Sequence, residues 1–199
     1  SRGVMRGYRG LEQTNAETYQ SNTASLAGAP EWSYSPQSVG GRLRMSAGPG
    51  FYASGMAAAT LDRDAVQFVV VVNYLTLTLN MTKYSVPQDN VVLDFKHMQH
   101  GDEASPNDRV WVRGSSSDPY VLLYNLTING PLSGQYQQVQ DVDITGVLAA
   151  ASQQFTSTFQ IRFGQEDDFD ATSPTSTDGR TFDDILVRRV LAKDVAVQA

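Results

Sequence analysis

The chain has 199 residues, with 15 basic against 21 acidic side chains and a formal net charge of −6, a balance that disfavours nucleic acid as a partner. It holds no cysteine, which removes disulfide frameworks, thiol redox chemistry and thiolate metal sites together. No apolar run approaches the roughly 18 residues of a membrane span, Phe68 to Val72 being short, and a chain of this length can bury its core as one large domain.

Residues 1–30 show little periodicity and are rich in Gly, Asn, Thr and Ala. They are expected to lead into the domain or wrap its edge, with residues 31–199 forming a single domain. Ser1 reads as the start of a mature or excised piece. Strand signals then follow in series. Leu43 and Met45 alternate with Arg42 and Arg44, and a second short strand spans Ala57 to Asp62. Leu75, Leu77 and Leu79 alternate with Thr76, Thr78 and Asn80, giving one buried face with polar residues outward. After a turn around Pro87, Val91, Leu93 and Phe95 alternate with Val92, Asp94 and Lys96. Val110 and Val112 alternate with Arg109, Trp111 and Arg113, and a turn from Gly114 to Pro119 leads into a strand from Tyr120 to Tyr124. The Ala-rich run Asp143 to Ala151 is the one place a short helix is expected. This spacing of strands and turns argues for an antiparallel, all-β sandwich.

The chain closes on two further strands. Phe159, Ile161 and Phe163 alternate with Gln160 and Arg162, and the last strand reads Phe182-Asp183-Asp184-Ile185-Leu186-Val187. Between them lie Glu166, Asp167, Asp168, Asp170 and Asp178, among Ser, Thr, Pro and Gly. Such a loop either is well solvated or shares a cation, and hard oxygen ligands favour calcium.

The phrases FQIRFGQEDDF and DGRTFDDILV resemble the closing signature of MAM-like and reelin-repeat-like modules of the concanavalin-like superfamily. Residues 75–103 and 108–126 are similar to the middle of those modules, and Trp32-Ser33-Tyr34 to a W-x-Y near their start. The resemblance covers roughly residues 30 to 190. It implies a jelly-roll β-sandwich from a secreted or cell-surface bacterial protein, non-catalytic and stabilised by structural calcium. Carried onto this chain, the calcium ligands are Asp183 and Asp184, with Glu12 and Asp62 as partners. The absence of cysteine departs from animal MAM domains, which carry disulfides. Alternation adds that if Phe182 points inward, Asp184 does too, and an inward acid needs a partner that a cation could supply; the competing reading is one exposed acid and one bonded to Arg180 or Arg188.

If Val110 and Val112 are core, Arg109, Trp111 and Arg113 project from the opposite face. Asp94, Lys96, Gln160 and Arg162 lie on strands expected beside them. An outward indole among hydrogen-bonding groups suits a sugar ring; the competing reading is a Trp covered by a loop or by arginine stems. The expected function is recognition or adhesion, of carbohydrate or another cell-surface ligand, with a structural spacer or protein-interaction domain beside neighbouring domains of a larger surface protein as the alternative. Glu166, Asp168 and Asp170 mimic the spacing of a laminarinase-like glycoside hydrolase, but a polar loop would not hold a carboxylate pair at the required separation. His97 and His100 fall on opposite faces of a strand and read as structural rather than metal-binding.

Overall fold

The computed structural model describes residues 30–38, 40–46, 52–54, 58–63, 70–101, 104–127, 134–167 and 179–190. They form ten strands and one short helix: β1 (Trp32–Pro36), β2 (Gly41–Ser46), β3 (Ala58–Arg63), β4 (Val71–Leu79), β5 (Asn90–Gln99), β6 (Arg109–Arg113), β7 (Val121–Asn125), β8 (Gln137–Asp143), α1 (Ile144–Ala150), β9 (Phe159–Asp167) and β10 (Arg180–Val190). Two five-stranded sheets result. Sheet A has the order β1-β4-β9-β6-β7 and sheet B the order β2-β3-β10-β5-β8, every pairing antiparallel. The chain passes repeatedly from one sheet to the other, so this is the jelly-roll β-sandwich expected.

Alternation builds the core. Leu75 and Leu77 of β4, Val110 and Val112 of β6, and Ile161 and Phe163 of β9 face inward from sheet A; Leu61, Leu93, Phe95, Phe182 and Val187 meet them from sheet B. Phe163 sits at the centre, its ring centroid 5.1 Å from Phe182 and 5.6 Å from Phe95. Tilted and edge-to-face contacts of this kind stabilise beyond the burial of apolar area alone. Helix α1 presents Ile144 and Leu148 to the same core, and Asp143 caps it by accepting from the Gly146 N–H at 2.8 Å.

Several boundaries differ from expectation. β4 begins at Val71 and β9 runs on to Asp167. Beyond Val71, their extra inward positions are polar, which conceals the alternation: Asn73 Nδ2 donates to Gln165 Oε1 at 2.8 Å and to the Asp62 carbonyl at 2.9 Å, while Tyr34 Oη donates to Asn73 Oδ1 at 2.7 Å. Nearby, Arg180 forms a buried pair with Asp108 at 3.5 Å and donates to His97 Nδ1 at 3.3 Å. One end of the interior is thus held by a polar network. In a low-dielectric interior an unpaired polar group is costly, so the members of such a network hold one another in place.

Strand β10 carries a bulge between Asp183 and Leu186, with Asp184 at φ 49°. The inserted residue resets the alternation. Phe182 faces inward as expected, but Ile185 rather than Asp184 takes the next core position.

Candidate ligand-binding face

The outer face of sheet A collects the side chains with recognition chemistry. Trp111 on β6 lies opposite Arg162 on β9, which lies opposite Thr76 on β4; one register step away, Arg113 faces Gln160, which faces Thr78. Tyr74 stands on the same face of β4, and its ring meets the Trp111 indole edge-on at 5.8 Å. Gly164 makes this arrangement possible. A Cβ there would sit 2.5 Å from the Asn107 carbonyl oxygen and 2.9 Å from Trp111 Cη2, so the missing side chain lets the indole lie across β9.

The arginines interleave with the rings. The Arg162 guanidinium stacks 3.8 Å from the Tyr120 centroid and 4.6 Å from that of Tyr74, and Arg113 covers Tyr120 at 4.3 Å. Gln160 ties the strands together. Its Oε1 accepts from Arg113 Nε at 2.8 Å, Arg113 Nη2 at 2.5 Å and Tyr120 Oη at 2.9 Å, and its Nε2 donates to Thr78 Oγ1 at 2.9 Å. At the other end of the face, Asn107 Nδ2 donates to Glu166 Oε2 at 2.7 Å.

Asp108 anchors that end from inside. Its Oδ1 accepts from the Glu166 N–H at 3.0 Å, and its Oδ2 accepts from the Ser105 N–H at 3.1 Å and pairs with Arg180. Burial pushes the Asp108 carboxyl pKa up, against Arg180 and the two N–H groups, which pull it down. One buried carboxylate therefore fixes the loop before β6, the end of β9 and the start of β10. The result is a partly buried, cross-braced platform of three aromatic rings with polar groups set at its rim.

Trp111, Arg109, Arg113 and Arg162 are brought to one face as expected. Asp94 and Lys96 are not: β5 belongs to sheet B, so a sandwich about 10 Å thick separates them from Trp111. Asp94 pairs instead with Arg188 at 2.6 Å and accepts the Asp141 N–H at 2.7 Å, and Lys96 pairs with Asp184 at 2.8 Å. Tyr74, Tyr120 and Asn107 join the face beyond the residues expected from the sequence. Extending the Leu75 alternation back by one residue would have put Tyr74 on the polar face.

The expected calcium ligands do not converge among the described residues. Asp62 is fully buried, with Arg42 Nε at 2.7 Å and Arg44 also on its carboxylate. From its register on β3 it lies about 13 Å along the strand from the level of Asp183. Asp183 Oδ2 accepts the N–H groups of Ala53 and Ser54 at 2.6 and 3.1 Å, and its Oδ1 accepts the Asp184 N–H at 2.7 Å. Asp184 holds Lys96 and the Ser54 hydroxyl. An ammonium thus stands where a cation would bind, and the remaining lone pairs are mostly spent on N–H donors, so these carboxylates do not fit a calcium cage. Glu12, and Asp168, Asp170 and Asp178 of the acidic loop, lie outside the described residues. No three His, Asp or Glu side chains among the described residues are grouped to hold a metal.

Neither histidine joins the face. His97 points into the core beside Arg180, and burial, reinforced by that guanidinium, lowers its pKa to about 3. His100, past the end of β5, shares a 2.6 Å hydrogen bond with Thr181 Oγ1; burial, then Arg44 and Arg180, lowers its pKa to about 4. Both are structural and neutral. Of the three acids with hydrolase-like spacing, Glu166 alone is described, and it is the one carboxylate at the outward positions of the described strands of sheet A.

No protein-family model matches the chain, and no curated protein matches it. Among solved structures it is similar to the carbohydrate-binding module TmCBM61 in complex with β-1,4-galactotriose, at 13% identity and a TM-score of 0.51, covering 96% of this chain and 100% of that one. It is also similar to the CBM22-1 xylan-binding domain of Xyn10C from Paenibacillus barcinonensis, at 10% identity and a TM-score of 0.45 over 96% of each chain. A third likeness is to the K1 cleaved adhesin domain of Lys-gingipain from Porphyromonas gingivalis, at 15% identity and a TM-score of 0.44, covering 81% of this chain and 92% of that one. The likeness to TmCBM61, at this identity, is one of fold alone.

Proposed function

We propose that this domain is a non-catalytic carbohydrate-recognition module and that the outer face of sheet A is its binding surface. The observation that carries the reading is the platform of Tyr74, Trp111 and Tyr120, locked by Arg162 and Gln160 and flanked by the Asn107–Glu166 pair. Apolar C–H faces of a sugar ring pack on aromatic rings while its hydroxyls need fixed donors and acceptors, and this face offers both without rearrangement. Preorganisation limits the ordering cost of binding. The fold-level likeness to a module solved with a galactotriose is consistent with it.

The same reading makes the domain a secreted or cell-surface module of a larger protein, with the MAM-like closing motif as its sequence support. No helix among the described residues is long and apolar enough to cross a membrane. Asp183 and Asp184 act in it as braces between β10, Lys96 and residues 53–54, a role supported by their N–H and ammonium partners rather than by calcium ligation. Glu166, the outward carboxylate on the described strands of sheet A, is bonded to Asn107.

The test is affinity electrophoresis and calorimetry against a polysaccharide panel, comparing the parent with Trp111→Ala and Tyr74→Ala. Retardation by at least one glycan, lost in both variants while their unfolding midpoints stay close to the parent's, is expected. Binding that survives both substitutions would show that the ligand sits elsewhere on the domain.

A further inference from the structure

Arginine is used differently on the two sheets. On sheet B, Arg42 and Arg44 pair with Asp62, Arg188 with Asp94 and Asp141, Arg189 with Asp89, and Arg180 reaches Asp108. On the outer face of sheet A, none of Arg109, Arg113 and Arg162 has a carboxylate partner among the described residues. Arg113 spends its donors on the Gln160 side chain and the Asp118 carbonyl, which leaves its charge uncompensated. Arg162 is held by ring contacts on Tyr74 and Tyr120, and its buried Nε has no hydrogen-bond partner. Glu166, the one outward carboxylate of these strands, is turned to Asn107.

A protein of net charge −6 thus concentrates three unneutralised guanidiniums on one aromatic face. Register places them around Trp111. Arg109 and Arg113 lie two residues to either side of it on β6, about 13 Å apart along the strand, and Arg162 faces it from β9 at about 5 Å strand spacing. Planar guanidinium forks match carboxylate and sulfate oxygens in two-point contacts, and an arginine already immobilised by stacking loses little freedom when it binds.

We infer that this face selects an acidic polysaccharide, packing a sugar ring on Trp111 while Arg162 and Arg109 take the anionic groups of the same or the next residue. The inference rests on the carbohydrate reading and names its ligand class. The shared chemistry is a carboxylate or sulfate carried on a pyranose chain.

The full chain would be titrated calorimetrically with oligogalacturonate, with the same oligomer methyl-esterified, with neutral β-1,4-galactan and xylan oligomers, with sulfated dextran, and with poly-glutamate. The free acid is expected to bind at least tenfold more tightly than its ester, with affinity falling as salt is raised from low to physiological strength. Arg162→Gln and Arg109→Gln should each lower that affinity about tenfold. Arg162→Lys, which keeps the charge but not the planar fork, should recover only part of it. Binding of sulfated dextran with Trp111 dependence, in place of the uronate, would support the inference and assign the anion as a sulfate ester. Neutral oligomers binding as tightly as the acid would overturn it and leave the carbohydrate reading standing. Failure of every glycan would overturn both. Equal binding of poly-glutamate, indifferent to Trp111→Ala, would reduce the face to a non-specific anion surface and overturn the inference.

Discussion

Replacing Gly164 by alanine tests the packing of the aromatic platform on sheet A. The added Cβ would lie 2.9 Å from Trp111 Cη2, closer still to Cζ3, and 2.5 Å from the Asn107 carbonyl oxygen, where non-bonded carbons rest at about 3.5–4.0 Å. The indole would have to retreat by about 1 Å, and the backbone of Asn107 is held in a loop braced by Asp108. No left-handed backbone is required at Gly164, so a compatible site would gain about 0.4–1 kcal/mol from reduced unfolded-state entropy. Overpacking of this severity costs about 1–3 kcal/mol, which outweighs that gain. A net destabilisation of about 1–2 kcal/mol is expected in urea unfolding, together with a shifted Trp111 fluorescence and weaker glycan binding. A variant as stable as the parent, with an unchanged indole environment, would refute the close packing of Trp111 on β9.

Other outcomes follow from the interior. His97 and His100, with pKa values lowered to about 3 and about 4, stay neutral in the fold while the unfolded chain protonates them near 6.5. Stability is therefore full above pH 6.5 and falls as pH drops below it, by about 1.4 kcal/mol per unit for each histidine. The raised carboxyl pKa values of Asp62, Asp108 and Asp183 act in the opposite sense as those groups take up protons in the fold. The double variant His97→Gln/His100→Gln should flatten the slope below pH 6.5 in chemical denaturation, and an unchanged slope would contradict a neutral, buried pair. Asp62→Asn removes the counter-charge of two buried arginines and should cost about 3–5 kcal/mol; a loss below about 1 kcal/mol would show that the pairs are not buried as described. Chelation should leave the melting temperature unmoved. A calcium-dependent rise abolished by Asp183→Ala would show that this strand gives up its protein partners to an ion.

The strands are legible in the sequence wherever inward positions are apolar, as in Leu75-Leu77-Leu79, Val110-Val112 and Phe159-Ile161-Phe163, because period 2 is a direct imprint of a half-buried sheet. β8 is not, since Gln137 to Asp143 lies at a sheet edge and holds only two apolar residues, Val139 and Val142. Strand ends are hidden where inward positions become Asn73, Gln165 and Asp167, polar side chains in buried positions. Which sheet a strand joins leaves no periodic trace. β5 sits between β4 and β6 in sequence but in the opposite sheet in space, so alternation groups Trp111, Arg113 and Arg162 correctly and misplaces Asp94 and Lys96. The bulge at Asp184 likewise has no local signature, and it turns a carboxylate expected in the core out towards Lys96.

The most direct test of the central claim is a heteronuclear NMR titration of the labelled protein with an acidic oligosaccharide, following the Trp111 indole N–H, the Arg162 Nε–H and the backbone amides. Shifts confined to β4, β6, β9 and the loop carrying Tyr120 are the expected result, with Trp32, buried in the core, unmoved. Shifts centred on the Arg188–Asp94 surface of sheet B, or none on either sheet with any glycan, would contradict the account.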